Sequence, residues 1–202
     1  MVEFKTKLDE YIKKEFGIEV EHLHKKDKNG EKVTYEKIFY KERKSSKNGN
    51  NKIYGWPFLK GPWCNDRLKV GILNQIKGIH YIGIAADEPA RLARLGENKS
   101  PIAELGWTEK DCWKICEEHD MLSPIYKTST RGGCWFCHNQ SVEQLRLLRK
   151  TYPELWNLML KWDNDSPVTF KADGHTVHDF DKRFEIEDPN KPWRWKYIEQ
   201  NK

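Results

Sequence analysis

Hydrophobic residues recur at helical spacing in several stretches of the chain. Residues 2–16 place apolar side chains about one helical turn apart, and Gly17 follows as a stop signal. The stretch "KVTYEKIFY" at 32–40 favours one short helix. The stretch at 65–78, "NDRLKVGILNQIKG", predicts a helix capped by Asn65, with four apolar side chains facing inward: Leu68, Ile72, Leu73 and Ile76.

Two capping-box patterns mark the starts of further helices. Thr108 and Asp111 form one pattern in "GWTEKDCWKICEEHD", and Ser141 and Gln144 form the other. In such a box, each side chain accepts a hydrogen bond from the backbone N–H of the other residue. Pro153 then marks a break or a new helix start. Residues 163–202 show little periodicity, so we treat them as a C-terminal extension.

Two stretches have the pattern of strands. One is "IEVEHL" at 18–23, and the other is "IHYIGIA" at 79–85, a nearly continuous apolar run that is typical of a strand covered on both faces. Strands that alternate with helices predict an α/β domain. In open parallel sheets, ligands bind where strands end. The residues that follow the second run, Asp87, Glu88 and Arg91, are therefore candidates for ligand contacts.

Composition limits the class of protein. The 202 residues suffice for one domain with a core, and 12% aromatic residues, with nine tryptophans, argue against a disordered chain. Charged residues make up 33% of the chain, and the net charge of +5 favours an anionic partner, either a nucleotide or a nucleic acid.

The segment 25–52 is rich in Lys, Asn, Ser and Gly. It is either a solvated basic loop insertion or a contact for nucleic acid, and its composition leaves both interpretations open.

The apolar runs predict no passage through a membrane. None of them approaches the roughly 18 residues needed to cross a bilayer, and the N-terminus lacks a signal-peptide layout. We therefore expect a cytoplasmic protein whose five cysteines are reduced thiols. A clustered set of such cysteines is more typical of metal binding or catalysis than of disulfide bonding.

The stretch "TRGGCWFCHNQ" contains a CxxC pair, Cys134 and Cys137. A thiolate metal site needs three or four ligands, so further ligands would have to come from the remaining cysteines or from His138. The same pair is also compatible with a redox dithiol, or with two thiols buried as small hydrophobic side chains. Spacing leaves these three interpretations open.

Four motifs, in this order, resemble the phage and prophage branch of the phosphoadenosine-phosphosulfate (PAPS) reductase-like family. They are "GWP…WCNDRLK", "YIGIAADEPARL", "GWTEKDCWKIC" and "GGCWFCHNQSVEQLRLLRKTYPELW". The resemblance covers residues 1–162, with 25–52 as a basic loop insertion and 163–202 as a C-terminal extension. It implies the adenine nucleotide α-hydrolase-like (PP-loop type) α/β fold, in which a parallel sheet lies between helices.

The resemblance also implies a metal centre. The family's tryptophan–cysteine motif falls on Trp63 and Cys64, and iron–sulfur members of the wider family hold a [4Fe–4S] cluster with an early cysteine motif and a late CxxC pair. By this analogy Cys112 is a spare thiol, and a [4Fe–4S] cluster or zinc is bound by four cysteines: Cys64, Cys116, Cys134 and Cys137. Ligation by cysteine alone suits either metal centre.

Five residues become candidates for contacts with an adenine nucleotide or sulfonucleotide: Lys69, Asp87, Glu88, Arg91 and Arg131. Arg131 would face a sulfate or phosphate. For the last four, an ordinary structural ion pair is the alternative.

The chain departs from the family in one respect. It contains no Ser-Gly-Gly-Lys-Asp-Ser-type loop, whose backbone N–H groups cradle nucleotide phosphates in the family. Met1 aligns with an interior position of the family, so the fold is expected to be N-terminally truncated. We therefore expect no nucleotide turnover by this chain alone.

Three functions follow as expectations. The first is an enzyme, or its remnant, that acts on an adenylyl or phosphosulfate substrate in sulfur or nucleotide chemistry. The second is a metal-stapled module that binds nucleic acid through phosphate contacts and exposed tryptophans. The third is a subunit completed by a partner chain that supplies the missing phosphate loop.

Overall fold

A computed structural model describes residues 2–43, 52–57, 62–127, 129 and 132–187. About half of these residues are helical. The described α-helices are Val2–Phe16 (α1), Tyr35–Phe39 (α2), Trp63–Asn65 (α3), Gly71–Leu73 (α4), Pro89–Leu92 (α5), Pro101–Glu104 (α6), Glu109–Glu118 (α7), Val142–Thr151 (α8), Pro153–Asp165 (α9) and Val177–Glu187 (α10). A π-helical turn, Asp66–Val70, joins α3 to α4, and a 3₁₀ turn spans Pro124–Lys127. No described helix combines the length and the apolar character needed to span a membrane.

Several predicted elements are confirmed. Helix α1 ends at Phe16, just before Gly17, which has a left-handed φ of 67° and whose N–H donates to the Lys13 carbonyl over 2.9 Å. Both capping boxes form, at Thr108 for α7 and at Ser141 for α8. Helix α9 starts at Pro153, the predicted break.

The predicted α/β fold is wrong for the described residues. They contain no sheet, and their only β-type pairings are three isolated bridges, of which Tyr81 with Lys99 is the parallel one. The run at 79–85 is extended but pairs with just this one short neighbour. The stretch at 18–23 has no regular secondary structure, its side chains are exposed and it forms no bridge. An apolar run becomes a sheet strand only where other strands pair with it, and periodicity does not report that pairing.

The predicted helix at 65–78 is only partly present. Asn65 lies inside the helical segment, which starts at Trp63 and loses helical structure after Leu73. The side chains of Leu73 and Ile76, which were expected to face inward, are exposed. Gly78, with φ 110°, ends the stretch in a conformation that favours glycine.

The chain divides into two compact units. The first comprises Met1–Glu21 and Asn74–Pro124. In this unit, the Tyr11 hydroxyl lies 2.9 Å from Nδ1 of His119, just after α7, and Lys7 pairs with Asp120. Its buried apolar residues among those described are Ile84 and Ala85.

The second unit comprises His22–Leu73 and Ile125–Lys202 and holds the main hydrophobic core. Helices α2, α3, α8, α9 and α10 contribute most of this core, with Trp56 and Phe170 from the loops: Ile38, Phe39, Trp56, Trp63, Leu145, Leu148, Trp156, Met159, Trp162, Phe170, Val177, Phe180 and Phe184. The domain boundary predicted at residue 162 stays a prediction.

Two core helices come from segments for which the sequence suggested no core role. Helix α2 lies within the segment 25–52, whose residues 44–51 are outside the described ranges, and it buries Ile38 and Phe39. Helix α10 lies in the predicted extension. A capping box at its start joins Thr176 and Asp179, with N–H donor distances of 2.9 and 3.1 Å.

Candidate functional site

The CxxC pair forms a tight turn in the second unit. The Cys137 N–H donates to the Cys134 carbonyl over 3.0 Å, and the Gln140 N–H donates to the Cys137 carbonyl over 3.0 Å. Cys134 is exposed and Cys137 is half-buried. Neither Gly132 nor Gly133 has a positive φ, so the turn does not depend on the special conformations of glycine.

Two side chains that the sequence did not single out hold this turn. The buried Gln140 donates from Nε2 to the carbonyls of Cys134, over 3.0 Å, and Trp135, over 2.6 Å. The Nζ of Lys171 donates to the carbonyls of His138 and Gln140, each over 2.5 Å. Lys171 is half-buried, and this burial lowers the pKa of its ammonium. Together the two side chains bind four backbone carbonyls of the turn.

The Cys64 thiol joins the CxxC pair. Cys64 lies in α3 and is half-buried. Burial raises the pKa of its thiol, and the thiols of Cys134 and Cys137 lie close enough to raise that pKa further by charge repulsion. Three of the four predicted metal ligands therefore lie near one another in the same unit. We call Cys64, Cys134 and Cys137 the thiol site.

Tyr35, at the start of α2, packs against this site. Its ring stacks on Trp63 at a centroid distance of 4.9 Å and contacts Phe136 at 4.2 Å and Trp162 at 5.4 Å. Its hydroxyl is buried and forms no hydrogen bond with any described residue. Burial strongly raises the pKa of Tyr35, and the three cysteines of the thiol site raise it further by charge repulsion.

The sulfur atoms of the thiol site are suitable metal donors, but their positions in the structure do not form a metal-binding site. Thiolates are preferred ligands of zinc and of iron–sulfur clusters. Tetrahedral zinc holds its sulfurs about 4 Å apart, as follows from a zinc–sulfur distance of about 2.3 Å. Among the described Cys, His, Asp and Glu side chains, no group of three or more is arranged to hold a metal ion. Metal binding would therefore have to draw these thiols together.

The remaining two cysteines lie in the first unit. Cys112 and Cys116 are both on α7 and half-buried, and burial raises the pKa of Cys112, with a smaller contribution from Cys116. The role of Cys116 as a fourth ligand stays a prediction.

The predicted substrate contacts fall in different places. Lys69 lies exposed in the π-helical turn of the second unit. Its positive charge partly offsets the rise in the pKa of the Cys64 thiol. In the first unit, Asp87 accepts a hydrogen bond from the Glu109 N–H over 3.0 Å. Arg131 lies outside the described residues.

Glu88 and Arg91 form an ion pair with one another. Nη1 of Arg91 donates to Oε2 of Glu88 over 2.6 Å, and this hydrogen bond is the main cause that lowers the pKa of Glu88. Glu88 also accepts from the Ala85 N–H over 3.2 Å. These contacts match the structural alternative for the pair, and a substrate role for either residue stays a prediction.

Comparison with known proteins gives one distant relative and no family. No family model matches the chain, and no solved structure matches it. The chain is similar to the "Uncharacterized nin region protein ORF290" of Escherichia phage lambda, at 32% identity over 110 residues. The match covers 49% of this chain and 36% of the relative, so the chain spans little more than a third of the length of that protein. The chain is thus similar to part of a phage protein.

Proposed function

We propose that this chain is a PAPS reductase-like protein whose thiol site acts in sulfur or nucleotide chemistry on an adenylyl or phosphosulfate substrate. The observation that carries the proposal is the convergence of Cys64, Cys134 and Cys137 in one unit. The four sequence motifs support it independently. A reducing cytoplasm would keep these cysteines as thiols rather than disulfides.

The residues of the site suit an anionic substrate next to a thiolate centre. If bound here, a [4Fe–4S] cluster would supply a redox-active centre, whereas zinc would act as a structural staple. Lys69 would place a positive charge near Cys64, where it can neutralise a phosphate or sulfate group. Gln140 and Lys171 would keep the backbone at 134–140 fixed while the substrate binds.

The first experiment is anaerobic purification followed by metal analysis and absorption spectroscopy. Iron with sulfide would favour sulfur chemistry, and about one zinc per chain would favour a structural role. Replacing Cys134 with serine should lower the bound metal, whereas Cys112→Ser, at the spare thiol, should leave it unchanged. A chain that binds no metal in the wild-type form would contradict the proposal.

Substrate binding is measured separately by calorimetry with adenosine 3′,5′-bisphosphate. We expect Lys69→Ala to weaken this binding and Lys182→Ala, at an exposed lysine of α10, to leave it unchanged. We also expect no turnover of PAPS or ATP by the chain alone, because its sequence lacks the phosphate-binding loop of the family. Measurable turnover would contradict this part of the proposal.

A second candidate function, a subunit completed by another chain, is favoured by the segment at 79–85. One edge of this segment is paired, since Ile82 N–H donates to the Lys99 carbonyl over 2.8 Å and Lys99 N–H donates to the His80 carbonyl over 3.0 Å. The backbone groups of Tyr81 and Gly83, which alternate with these, form no hydrogen bond with a described residue. An open edge of this kind accepts an extended segment of another polypeptide.

The exposed apolar side chains of the first unit also favour a partner chain. Ile79 is 57% exposed and Tyr81 is 70% exposed. Further exposed apolar side chains of this unit are Phe16, Ile18, Ile76, Leu105 and Trp107. We infer that a partner chain adds an extended segment along 79–85.

Sedimentation velocity over a range of concentrations tests this second candidate. Without its partner, the wild-type chain should self-associate through the open edge, and Tyr81→Lys should reduce the association because an edge lysine opposes strand pairing. Ile186→Lys, at an exposed apolar position of the second unit, is the matched control and should have no effect. A wild-type chain that stays monomeric throughout would argue against this function.

A further inference from the structure

Two arginines of the second unit hold their guanidinium groups over one tyrosine ring. The Cζ atom of Arg43 lies 4.7 Å from the centroid of the Tyr54 ring, and that of Arg67, in the π-helical turn, lies 4.6 Å from it. Nη2 of Arg43 also donates to the Tyr54 carbonyl over 2.7 Å. A ring face and a carbonyl orient a guanidinium without neutralising its charge.

Neither of these guanidiniums pairs with a carboxylate of the described residues. The other arginines that the structure describes in this unit do so: Arg146 and Arg183 pair with Glu187, and Arg149 pairs with Asp181. Two positive charges beside one ring repel each other, and an anion close to both would offset that repulsion. Because guanidinium groups bind phosphate through pairs of N–H donors, the arrangement suits a phosphate ligand.

A short antiparallel pairing extends the positive charge around Tyr54. Glu42 forms an isolated bridge with Ile53. On either side of this bridge, the Arg43 N–H donates to the Lys52 carbonyl over 2.9 Å, and the Tyr54 N–H donates to the Lys41 carbonyl over 3.1 Å. Successive side chains of such a pairing alternate between its two faces. Glu42 therefore lies on one face with Ile53, and the opposite face carries Lys41, Arg43, Lys52 and Tyr54.

We call the four cations around Tyr54 the basic face: Lys41, Arg43, Lys52 and Arg67. Lys41 and Lys52 are exposed, and neither pairs with a carboxylate in the part of the chain that the structure describes. Same-face residues two apart on a strand lie about 6.8 Å from each other, so the basic face is wider than one phosphate group. A nucleic-acid strand supplies one phosphate per nucleotide, and its bases can stack on guanidinium planes.

We propose that the basic face binds the phosphate backbone of a nucleic acid, with Arg43 and Arg67 as the central contacts. Tyr54 positions these two guanidiniums through its ring and its carbonyl. The inference goes beyond the proposed function, because it requires neither the thiol site nor a metal.

Fluorescence anisotropy of a labelled DNA strand of about 20 nucleotides tests the proposal. The full chain is titrated into the single strand and into a duplex of the same length, at several salt concentrations. Four phosphate contacts predict that the logarithm of the association constant falls with the logarithm of the salt concentration at a slope of about −3 for the single strand. Inorganic phosphate and ATP serve as competitors.

The site variant carries Arg43→Gln and Arg67→Gln together. Its affinity should fall about 25-fold at about 0.1 M salt, because each lost phosphate contact costs about fivefold there. The matched control carries Lys161→Gln and Lys182→Gln, at exposed lysines of α9 and α10 in the same unit. It loses the same charge far from any contact, so its affinity should change less than about twofold.

A second site variant, with Lys41→Gln and Lys52→Gln, replaces two exposed lysines of the basic face and leaves the guanidiniums on Tyr54 in place. It should also bind DNA more weakly than the matched control. Urea unfolding checks that each variant folds, and the lysine variant decides the test if the arginine variant does not fold.

Several results would overturn the proposal. A wild-type chain that binds neither DNA form at low salt would do so. Equal losses in the site variants and the control would show that net charge alone attracts DNA. ATP that binds as tightly as the strand would identify a site for a single nucleotide instead. Binding of the single strand alone would identify unpaired nucleic acid as the partner, and equal binding of the duplex would identify either form; both support the proposal.

Discussion

At Gly55 the backbone has a left-handed φ of 63°, and a Cβ atom there would lie 2.4 Å from the Ser166 hydroxyl and 2.7 Å from Cδ of Pro167. Both neighbours are fixed. The Ser166 hydroxyl donates to the Val168 carbonyl over 2.7 Å, and a proline ring cannot turn aside. Conformation and space therefore both favour glycine at this position.

Replacing Gly55 with alanine should destabilise the chain by about 2–4 kcal/mol, because backbone strain adds to the steric overlap. The measurement is urea unfolding followed by circular dichroism. Gly133→Ala is the matched control, since its added Cβ would meet no atom within 4 Å and its φ is not positive. Equal stability of the two variants would show that residues 166–167 move away from residue 55 at little cost.

Asp163 offers a test by pH. Its carboxylate accepts from Nε1 of Trp56 over 2.9 Å and from the Val177 N–H over 2.9 Å, but burial dominates and raises the pKa of this carboxyl above 3.8. A carboxyl whose pKa is raised on folding contributes stability below its unfolded pKa. That contribution is lost as the pH rises through the folded pKa.

The free energy of unfolding of the wild type, relative to Asp163→Asn, should therefore fall as the pH rises from below 3.8 toward neutrality. Asp173→Asn should show the opposite trend, because the hydrogen bond from His175 lowers the pKa of the exposed Asp173. Denaturant unfolding at several pH values measures both differences. Parallel trends for the two variants would contradict the assignment for Asp163.

At the scale of elements, α8 and α10 are joined by an ion pair whose arginine is buried. The guanidinium of Arg146 pairs with Glu187 and lies over the ring of Phe184, 4.5 Å from its centroid. The side chain of Arg146 is only 5% exposed, whereas that of Arg183, which contacts the same carboxylate over 2.9 Å, is 49% exposed.

Arg146→Met should lower the free energy of unfolding by about 1.5–3 kcal/mol, because the Glu187 carboxylate loses its most buried partner and keeps only the exposed Arg183. Arg183→Met should cost less than about 1 kcal/mol, since an exposed pair is screened by solvent. Thermal or urea unfolding compares the two. Similar losses in both variants would show that the burial of Arg146 does not set the strength of its pair.

The sequence predicted the elements whose stabilising contacts are local. The capping boxes predicted at Thr108 and Ser141 are confirmed, because the hydrogen bonds of each box lie within four residues. The start of α10 has the same box at Thr176, with Val177, Phe180 and Phe184 at helical spacing, and this signal was overlooked. The prediction of a parallel sheet was wrong because strand pairing depends on distant segments that a local pattern does not identify.

The difference between local and long-range contacts also explains which parts of the candidate site could be predicted. The CxxC turn is local and was found in the sequence. Lys171 reaches this turn from 31 and 33 residues along the chain, and Tyr35 reaches it from the segment predicted as a loop insertion. No pattern near either residue indicates such a contact, because the contact exists only after the core has assembled.

At the scale of the whole molecule, the two units differ in how much apolar surface they bury. The hydrophobic core cluster of the described residues lies entirely in the second unit, whereas the buried apolar residues described in the first unit are Ile84 and Ala85. Burial of apolar surface is the main source of folding free energy, so the two units should not be equally stable.

Hydrogen exchange of the full chain should show this difference. Amides of α8 and α9 should exchange slowly, through global unfolding, whereas those of α1 and α7 should exchange faster through local opening. Mass spectrometry of peptic peptides measures both sets in one sample. Equal protection of the two sets would mean that the first unit derives its stability from contacts other than apolar burial.

Stacking of Trp63 on Tyr35 and of Trp135 on Trp162 gives the thiol site an optical property of its own. Trp63 and Trp135 adjoin Cys64 and Cys134 in sequence, and Trp63 and Trp162 are buried from water. A centre that absorbs in the near ultraviolet would take up their excitation energy by dipolar transfer over so short a distance. If the thiol site binds such a centre, tryptophan emission of the unlabelled chain should decrease on binding, and fluorescence would follow occupancy in real time without an added dye.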